Sequence, residues 1–195
     1  SSPDAPARAP VDWRVIATTV WLLGALLLLA RLELSELMMR LIRARSDAMD
    51  DPAWEHARDR AAHRVGARPG VTLLRARKLQ IPVATGYRHP AVLLPAGATE
   101  WSDELRQLVL LHELAHIARR DLHVQTLGQL VKAIYWFNPL VWWACARLRA
   151  EAERACDDRV LNAGVRASSY EASLLALVHA HRAPRLVAAL PMAQK

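Results

Sequence analysis

The longest uncharged stretch of the chain is VIATTVWLLGALLLLA, residues 15–30. As an α-helix it would span roughly 24 Å, and extension to Leu34 adds Arg31 and Glu33, whose side chains can snorkel at a bilayer surface. The pattern predicts a transmembrane helix over residues 13–34; a buried or amphipathic helix and a signal peptide are the alternatives. Because arginines concentrate after this segment, we expect the rest of the chain in the cytoplasm.

Shorter periodicities follow the predicted span. LSELMMRLIRARS predicts a basic juxtamembrane helix and linker over residues 35–53. A helix should begin at Pro52 and end before Gly66, since Pro suits a first turn and Gly a helix end. Residues 71–76, 81–86 and 91–97 are β-type runs punctuated by prolines, so at least one should be an edge strand.

The second half of the chain predicts helices. One begins at Ser102, a good N-cap, and runs through LRQLVLLHELAHIARR. The apolar stretch 124–148 should form two helices that meet at Pro139, the second ending at Gly164, and a last helix begins at Ser168 or Ser169. The expected fold class is α+β: a mainly helical domain with a small antiparallel or mixed sheet, preceded by the predicted transmembrane helix. Residues 1–12 should be a disordered tail, and residues 183–195 a segment that leads to a missing region.

Composition changes this picture in two respects. The formal net charge of +7 favours an anionic neighbour, either nucleic acid or the inner face of a membrane. The tryptophans lie at or inside apolar segments rather than along a basic stripe, so we expect membrane lipid and not nucleic acid as the partner. The two cysteines, Cys145 and Cys156, lie on one predicted helix, which excludes a disulfide framework and favours a reducing compartment.

The residues LLHELAHIARRD, 110–121, place titratable groups in an apolar helix. His112 and His116 are four residues apart and face the same way, as two corners of a tetrahedral zinc site require. Glu113 lies about 100° further round and can take a proton from a water on an open metal position. This is the H-E-x-x-H pattern of zinc peptidases, and the alternative is a pair of core histidines bonded to backbone or to Glu113.

A third metal ligand is needed, and RAEAERACDD offers acids on a later helix. Glu153 and Asp157 share one face, whereas Glu151 points elsewhere and should be solvated. His123 is too far along the helix axis. Cys156 could bind zinc as a thiolate, but a small buried residue beneath the site is the favoured interpretation.

Other polar and aromatic residues have competing interpretations. Asp121 could support the site, yet pairing with Arg119 or Arg120 at a helix end is favoured. The cluster of Trp136, Trp142 and Trp143 should pack at a membrane interface or in a core, with substrate binding as the alternative. The remaining histidines should be surface residues: His56, His63, His89, His179 and His181.

HELAHIARRD, WFNPLVWW and ERACDDRVL, in that order and spacing, resemble the BlaR/MecR-type membrane metallopeptidases, the signal-transducing proteases of β-lactam-responsive bacteria. GYRHPAVLLPAG resembles the strand before the zinc helix in that family. The resemblance covers roughly residues 54–182 and implies a zincin-like metallopeptidase domain there. It implies Zn²⁺ as cofactor, His112 and His116 as ligands, Glu113 as catalytic base, and Glu153 as the third, gluzincin-type ligand. It also implies that Asp157 orients a ligand histidine.

The resulting hypothesis is a zinc metalloendopeptidase at the bacterial inner membrane that faces the cytoplasm and cleaves a repressor-type regulatory protein or itself. An edge strand in residues 89–95 should align the protein substrate. Two alternatives stay open: a quality-control or prenyl-protein-type membrane protease, and a metal-stabilised membrane adaptor without turnover. The adaptor would need the ligands but not Glu113.

Overall fold

The computed structural model describes residues 12–164, which form five helices and four strands. Several predictions fall outside the described residues. They concern the disordered tail, the helix that begins at Ser168 or Ser169, the surface positions of His179 and His181, and the segment 183–195. The helices are α1 (Trp13–Ala44), α2 (Pro52–Val65), α3 (Asp103–Arg119), α4 (Asp121–Ile134) and α5 (Pro139–Asn162). The strands are β1 (Asp47–Ala48), β2 (Thr72–Ala76), β3 (Val83–Thr85) and β4 (Ala91–Pro95), and a 3-10 helix covers Ala96–Glu100. The predicted fold class, mainly helical with a small mixed sheet, is confirmed.

Helix ends follow local sequence chemistry. The Ser102 side chain accepts a hydrogen bond from the backbone N–H of Leu105 and caps α3. Pro139 occupies the first turn of α5, and the Asn138 side chain caps that helix. Gly66 ends α2 in the left-handed conformation, with φ of 69°. These predicted boundaries are confirmed.

Two further helix ends lie close to their predicted positions. The helix predicted to run through Arg120 ends at Arg119, because Arg120 adopts a left-handed conformation with φ of 59°, and α4 starts immediately afterwards. A non-glycine residue rarely adopts this conformation, so the sequence gives no sign of the left-handed turn itself. Helix α5 ends at Asn162, and Gly164 follows with φ of 87°, the left-handed conformation expected where a glycine stops a helix.

The sheet is mixed, with strand order β1-β2-β4-β3. The central pair β2 and β4 is parallel, and β1 and β3 add antiparallel strands on either side. Every residue of β4 is buried, so the prediction that residues 89–95 form the edge strand is wrong. Pro95 pairs only at the end of the β4 ladder, opposite Ala76, where its missing N–H interrupts nothing. The edge beside α3 is β3.

The main core forms where α2 packs against α3 and where α3 faces the sheet. Trp54 of α2 and Leu94 of β4 are fully buried, together with Leu110, Leu111 and Leu114 of α3. A helix that is apolar nearly all round belongs in an interior. Burial on several sides fixes α3, and therefore the orientation of the histidines that it carries.

Helix α1 has the opposite character. Among residues 12–164 it is the one helix long and apolar enough to cross a membrane, and only 6% of its most apolar window is buried. That exposure is the reverse of what a core helix of a soluble protein shows. The helix continues without interruption past Leu34 to Ala44, and it contacts α4. We treat α1 as a candidate membrane span.

Candidate metal centre

One face of α3 presents two imidazoles to a common point. The Nε2 atoms of His112 and His116 lie 3.2 Å apart, and the ring centroids are 4.8 Å apart. Residues four apart in a helix lie one above the other, which explains the proximity. Neither ring has to leave the helix face to reach the other.

Helix α5 brings a carboxylate to the same point. The Oε2 atom of Glu153 lies 3.6 Å from His112 Nε2 and 3.7 Å from His116 Nε2. Ala152 and Cys156 are buried on the same helix and leave Glu153 at the rim, with its side chain half exposed. The predicted group of His112, His116 and Glu153 is therefore brought together, open to solvent on one side.

These three atoms fit a zinc ion by distance and by chemistry. Ligand atoms about 2.0–2.1 Å from a tetrahedral centre are separated from one another by about 3.4 Å. The observed separations of 3.2, 3.6 and 3.7 Å bracket that value. Two imidazoles and one carboxylate are also a donor set that catalytic zinc takes, with a fourth position left for water or substrate.

The electrostatics of the cluster favour positive charge between its members. Burial alone would lower the pKa of His116, but hydrogen bonds with Cys156 and Glu153 raise it overall to about 11. Hydrogen bonds from His112 and His116 hold the pKa of Glu153 far below its usual value. A proton on an imidazole and a bound cation are two ways of supplying the same charge.

Glu113 lies between the metal ligands and the sheet. Its Oε2 atom accepts a hydrogen bond of 2.7 Å from the backbone N–H of Ala84 in β3. Burial raises the pKa of the Glu113 carboxyl, and the two neighbouring histidines oppose part of that rise. The side chain is thus held by the edge strand, beside the ligands and not among them.

Asp121 is the site residue that sequence reasoning underestimated. Its side chain is 5% exposed, and its Oδ2 lies 2.9 Å from His116 Nδ1. The predicted pairing with Arg119 also occurs, with Arg119 Nε donating to the same oxygen at 3.3 Å. The left-handed turn at Arg120 brings Asp121 beneath His116, and no sequence pattern predicted that turn.

Asp157 lies beside the other histidine. Its Oδ1 is 3.4 Å from His112 Nδ1, so each ligand imidazole has a carboxylate next to its second nitrogen. Such carboxylates fix the tautomer and the ring orientation of metal-bound histidines. The predicted role of Asp157 is compatible with this position.

Cys156 packs beneath the site as a buried residue. Its Sγ atom lies 3.3 Å from His116 Nδ1, on the side of the ring away from Glu153. Burial raises the pKa of the thiol, which favours the protonated form over a thiolate ligand. The favoured interpretation of Cys156 agrees with this environment.

The other candidate residues lie apart from the ligands. Glu151 is exposed and pairs with Arg147 and Arg154, as expected for a solvated side chain. His123 stacks edge-on against Tyr87, with ring centroids 5.2 Å apart. Three further histidines are exposed, as predicted: His56, His63 and His89.

A cleft of about 980 Å³ leads to the ligand cluster. Its walls include β3, the loop that follows it, and the start of α4. The cleft is long enough to expose both the ligand cluster and the edge of the sheet. An extended chain entering it would meet His112, His116 and Glu153 on one side and β3 on another.

Comparison with known proteins identifies the family of the chain. The family described as BlaR1 peptidase M56 matches residues 4–195. The regulatory protein BlaR1 of Bacillus licheniformis is 30% identical over 142 residues, which cover 73% of this chain and 24% of that protein. The methicillin resistance mecR1 proteins of Staphylococcus aureus and Staphylococcus epidermidis are 28% identical over 92 residues, 47% of this chain and 16% of each of those proteins.

The chain thus spans about a quarter or less of the length of these curated relatives. The family match nonetheless extends over nearly the whole chain and includes α3 and α5, the helices that carry His112, His116 and Glu153. The chain therefore belongs to the BlaR1 peptidase M56 family, a family of metallopeptidases.

Proposed function

We propose that this chain is the catalytic part of a zinc-dependent endopeptidase attached to the cytoplasmic membrane. The observation that carries the proposal is the convergence of His112, His116 and Glu153 at zinc-ligand separations. The names of the relatives, a regulatory protein and a resistance protein, support a role in signal transduction. The proposed target is a regulatory protein of the repressor type, or the chain itself.

Zinc in this position would supply a Lewis acid that polarises the scissile carbonyl and lowers the pKa of water. The chain's own residues would do the rest. His112, His116 and Glu153 would hold the ion, and the Glu113 carboxylate would accept a proton from the attacking water and deliver it to the leaving amine nitrogen. The Ala84 N–H fixes one oxygen of that carboxylate, which limits its rotation.

Asp121 and Asp157 position the ligands without touching the substrate. Each lies next to the Nδ1 nitrogen of one histidine, which would leave the Nε2 nitrogens available to the ion. Asp121 is held more firmly than Asp157, because it is buried and because Arg119 donates to the same oxygen that faces His116.

The edge of β3 would align the substrate. Ala84 directs its N–H away from β4, and Glu113 occupies that donor, so a substrate would pair with the other backbone groups of the same edge. An extended peptide that pairs with this edge would lie in the cleft along α3. Backbone pairing selects for extended conformation rather than for particular side chains.

The decisive experiment compares Glu113→Gln with the parent chain in zinc content and in cleavage. The substrates are fluorescently labelled casein and the chain itself, with products identified by mass spectrometry. Glu113→Gln should retain zinc and lose cleavage, because the amide cannot accept the proton. Glu151→Gln is the matched control, since Glu151 is exposed and pairs only with arginines of its own helix in the described structure.

Each contrary result has a definite meaning. Cleavage by Glu113→Gln at the parent rate would show that Glu113 is not the base. A parent chain that binds zinc and cleaves neither substrate would favour the adaptor. A parent chain without zinc affinity would refute the metal centre.

A further inference from the structure

Helix α4 exposes apolar side chains and turns most of its polar ones inward, the opposite of a surface helix on a soluble protein. Its exposed residues include five apolar side chains at helical spacing: Val124, Leu127, Leu130, Val131 and Ile134. Its polar side chains other than His123 are less exposed. A surface helix in water shows the opposite arrangement. The Lys132 side chain also turns toward the protein: its ammonium lies 5.2 Å from the ring centroid of Trp142 on α5.

The end of α4 is joined to the middle of the candidate span. The indole N–H of Trp21 donates to the Ile134 carbonyl at 2.9 Å, and the indole N–H of Trp136 donates to the Trp21 carbonyl at 3.1 Å. Gly24 admits this contact, since a Cβ there would lie 2.3 Å from the Trp136 ring. These contacts place Trp136 at the depth of residues 21–24.

That depth is well inside the span. About 20 Å of helix separates Trp21 from Leu34, while the hydrocarbon core of a bilayer is about 30 Å thick. Near the other end of α4, the Tyr87 hydroxyl contacts Glu36 of α1 and Thr126 of α4, each at 2.8 Å. Helix α4 therefore follows α1 from the polar end of the span toward its interior.

The connection between α4 and α5 suits an apolar medium. Residues 133–146 contain no Asp, Glu, Lys, Arg or His. Around the turn, Phe137 is 60% exposed, Leu140 is 70% exposed and Trp143 is 68% exposed. The indole N–H of Trp142 donates to the Trp136 carbonyl at 2.8 Å, and the Asn138 backbone N–H donates to the Tyr135 carbonyl at 2.9 Å. These groups of the turn are satisfied within the protein, as hydrocarbon requires.

We propose that α4 and the first turns of α5 form a re-entrant hairpin, inserted in the hydrocarbon of the bilayer beside α1. Both ends of the hairpin return to the metal centre, since Asp121 begins α4 and Glu153 lies on α5. Lipid acyl chains are the partner, because the exposed apolar face is continuous with that of the candidate span. The metal centre is consequently held at the membrane surface. This inference rests on the proposed membrane location of α1.

The test is a depth measurement on spin labels in vesicles of phosphatidylethanolamine and phosphatidylglycerol. Single cysteines replace Phe137, Leu27 and His56 in a Cys145→Ser background; Cys156 is buried and stays in place. Oxygen, which concentrates in hydrocarbon, and a water-soluble nickel chelate report the surroundings of each label. The label at residue 137 should match that at residue 27, with high oxygen and low nickel accessibility, and the label at residue 56 should show the reverse.

The two controls separate the possible failures. If residue 27 reports hydrocarbon and residue 137 reports water, the hairpin inference is wrong and the span is retained. If residue 137 is shielded from both reagents, another protein segment or a second copy covers it and the inference is also wrong. If residue 27 itself reports water, the membrane location of α1 fails and the hairpin fails with it.

A second variant tests the contact that sets the depth. Gly24→Leu would place a side chain in the space of the Trp136 ring and should displace the hairpin from α1. The label at residue 137 should then lose depth by a measurable margin. Ala30→Leu, at an exposed position of the same helix, should leave the depth unchanged. Equal depths in the two variants would contradict the proposed contact.

Discussion

Replacement of Asp121 tests whether a buried carboxylate beneath His116 supports the metal centre. In the parent chain Asp121 Oδ2 lies 2.9 Å from His116 Nδ1, and the side chain is almost completely buried. Asp121→Asn keeps the size of the side chain and removes its charge. Loss of a charge-assisted hydrogen bond costs about 1.5–3 kcal/mol, which corresponds to about 10- to 150-fold in an equilibrium constant. Carboxylates that support ligand histidines typically contribute about 10- to 100-fold to metal affinity.

The two ranges agree, so we expect Asp121→Asn to weaken zinc binding by about 30-fold. The assay is competition for zinc with a chromophoric chelator, and Asp158→Asn, at an exposed position of α5, is the control. Thermal unfolding of the metal-free chains separates a loss of affinity from a loss of folding. A zinc affinity within twofold of the parent value, in a folded Asp121→Asn chain, would refute the positioning role.

Three further predictions concern the stability of the fold, measured by chemical denaturation in mild detergent. Trp54→Ala should lower the free energy of unfolding by about 3–5 kcal/mol because Trp54 is 0% exposed. Trp143→Ala removes an exposed ring and should lower it far less. Equal losses would contradict the assigned core. Gly66→Ala should lower the free energy of unfolding by about 1 kcal/mol. The left-handed φ of 69° is the sole cause, since no atom lies within 4 Å of the added Cβ. Gly97→Ala is the control and should change the stability little. Ser102→Ala should cost about 1 kcal/mol through loss of the N-cap of α3, and an unchanged stability would show that the cap is dispensable.

The helices were predictable because their signals are local. Ser102, Pro139 and Gly66 act on backbone groups within one turn, so their effect does not depend on the rest of the fold. The pairing of His112 with His116 is equally local, since the helical repeat alone places them together. The prediction that the two histidines meet Glu153 rests on the resemblance to a family as well as on helix geometry.

The features that were missed depend on contacts between distant segments. The order of strands in the sheet is not encoded in any one strand, so the sequence does not distinguish the central strand β4 from the edge strand that it predicts there. The two-residue strand β1 has no periodicity to detect and exists only through its pairing with β2. Asp121 became a site residue through the left-handed turn at Arg120, which sequence pattern disfavours.

The apolar stretch 124–148 shows a third limit. Its composition identified apolar helices that break at Pro139, but the sequence could not say which faces are exposed. That distinction depends on the hydrogen bonds that join Trp21 to Ile134 and Trp136. Only the three-dimensional arrangement shows that the polar face of α4 turns inward.

The most direct test of the metal centre is the zinc content of the purified chain, measured by plasma mass spectrometry after exhaustive dialysis. Glu153→Ala removes the ligand from α5, and Glu151→Ala alters an acid two residues away that does not reach the cluster. The parent chain and Glu151→Ala should each hold about one zinc ion per chain, and Glu153→Ala should lose it. Stoichiometric zinc in a folded Glu153→Ala chain, bound with the affinity of the parent, would contradict the assignment of that carboxylate as the third ligand.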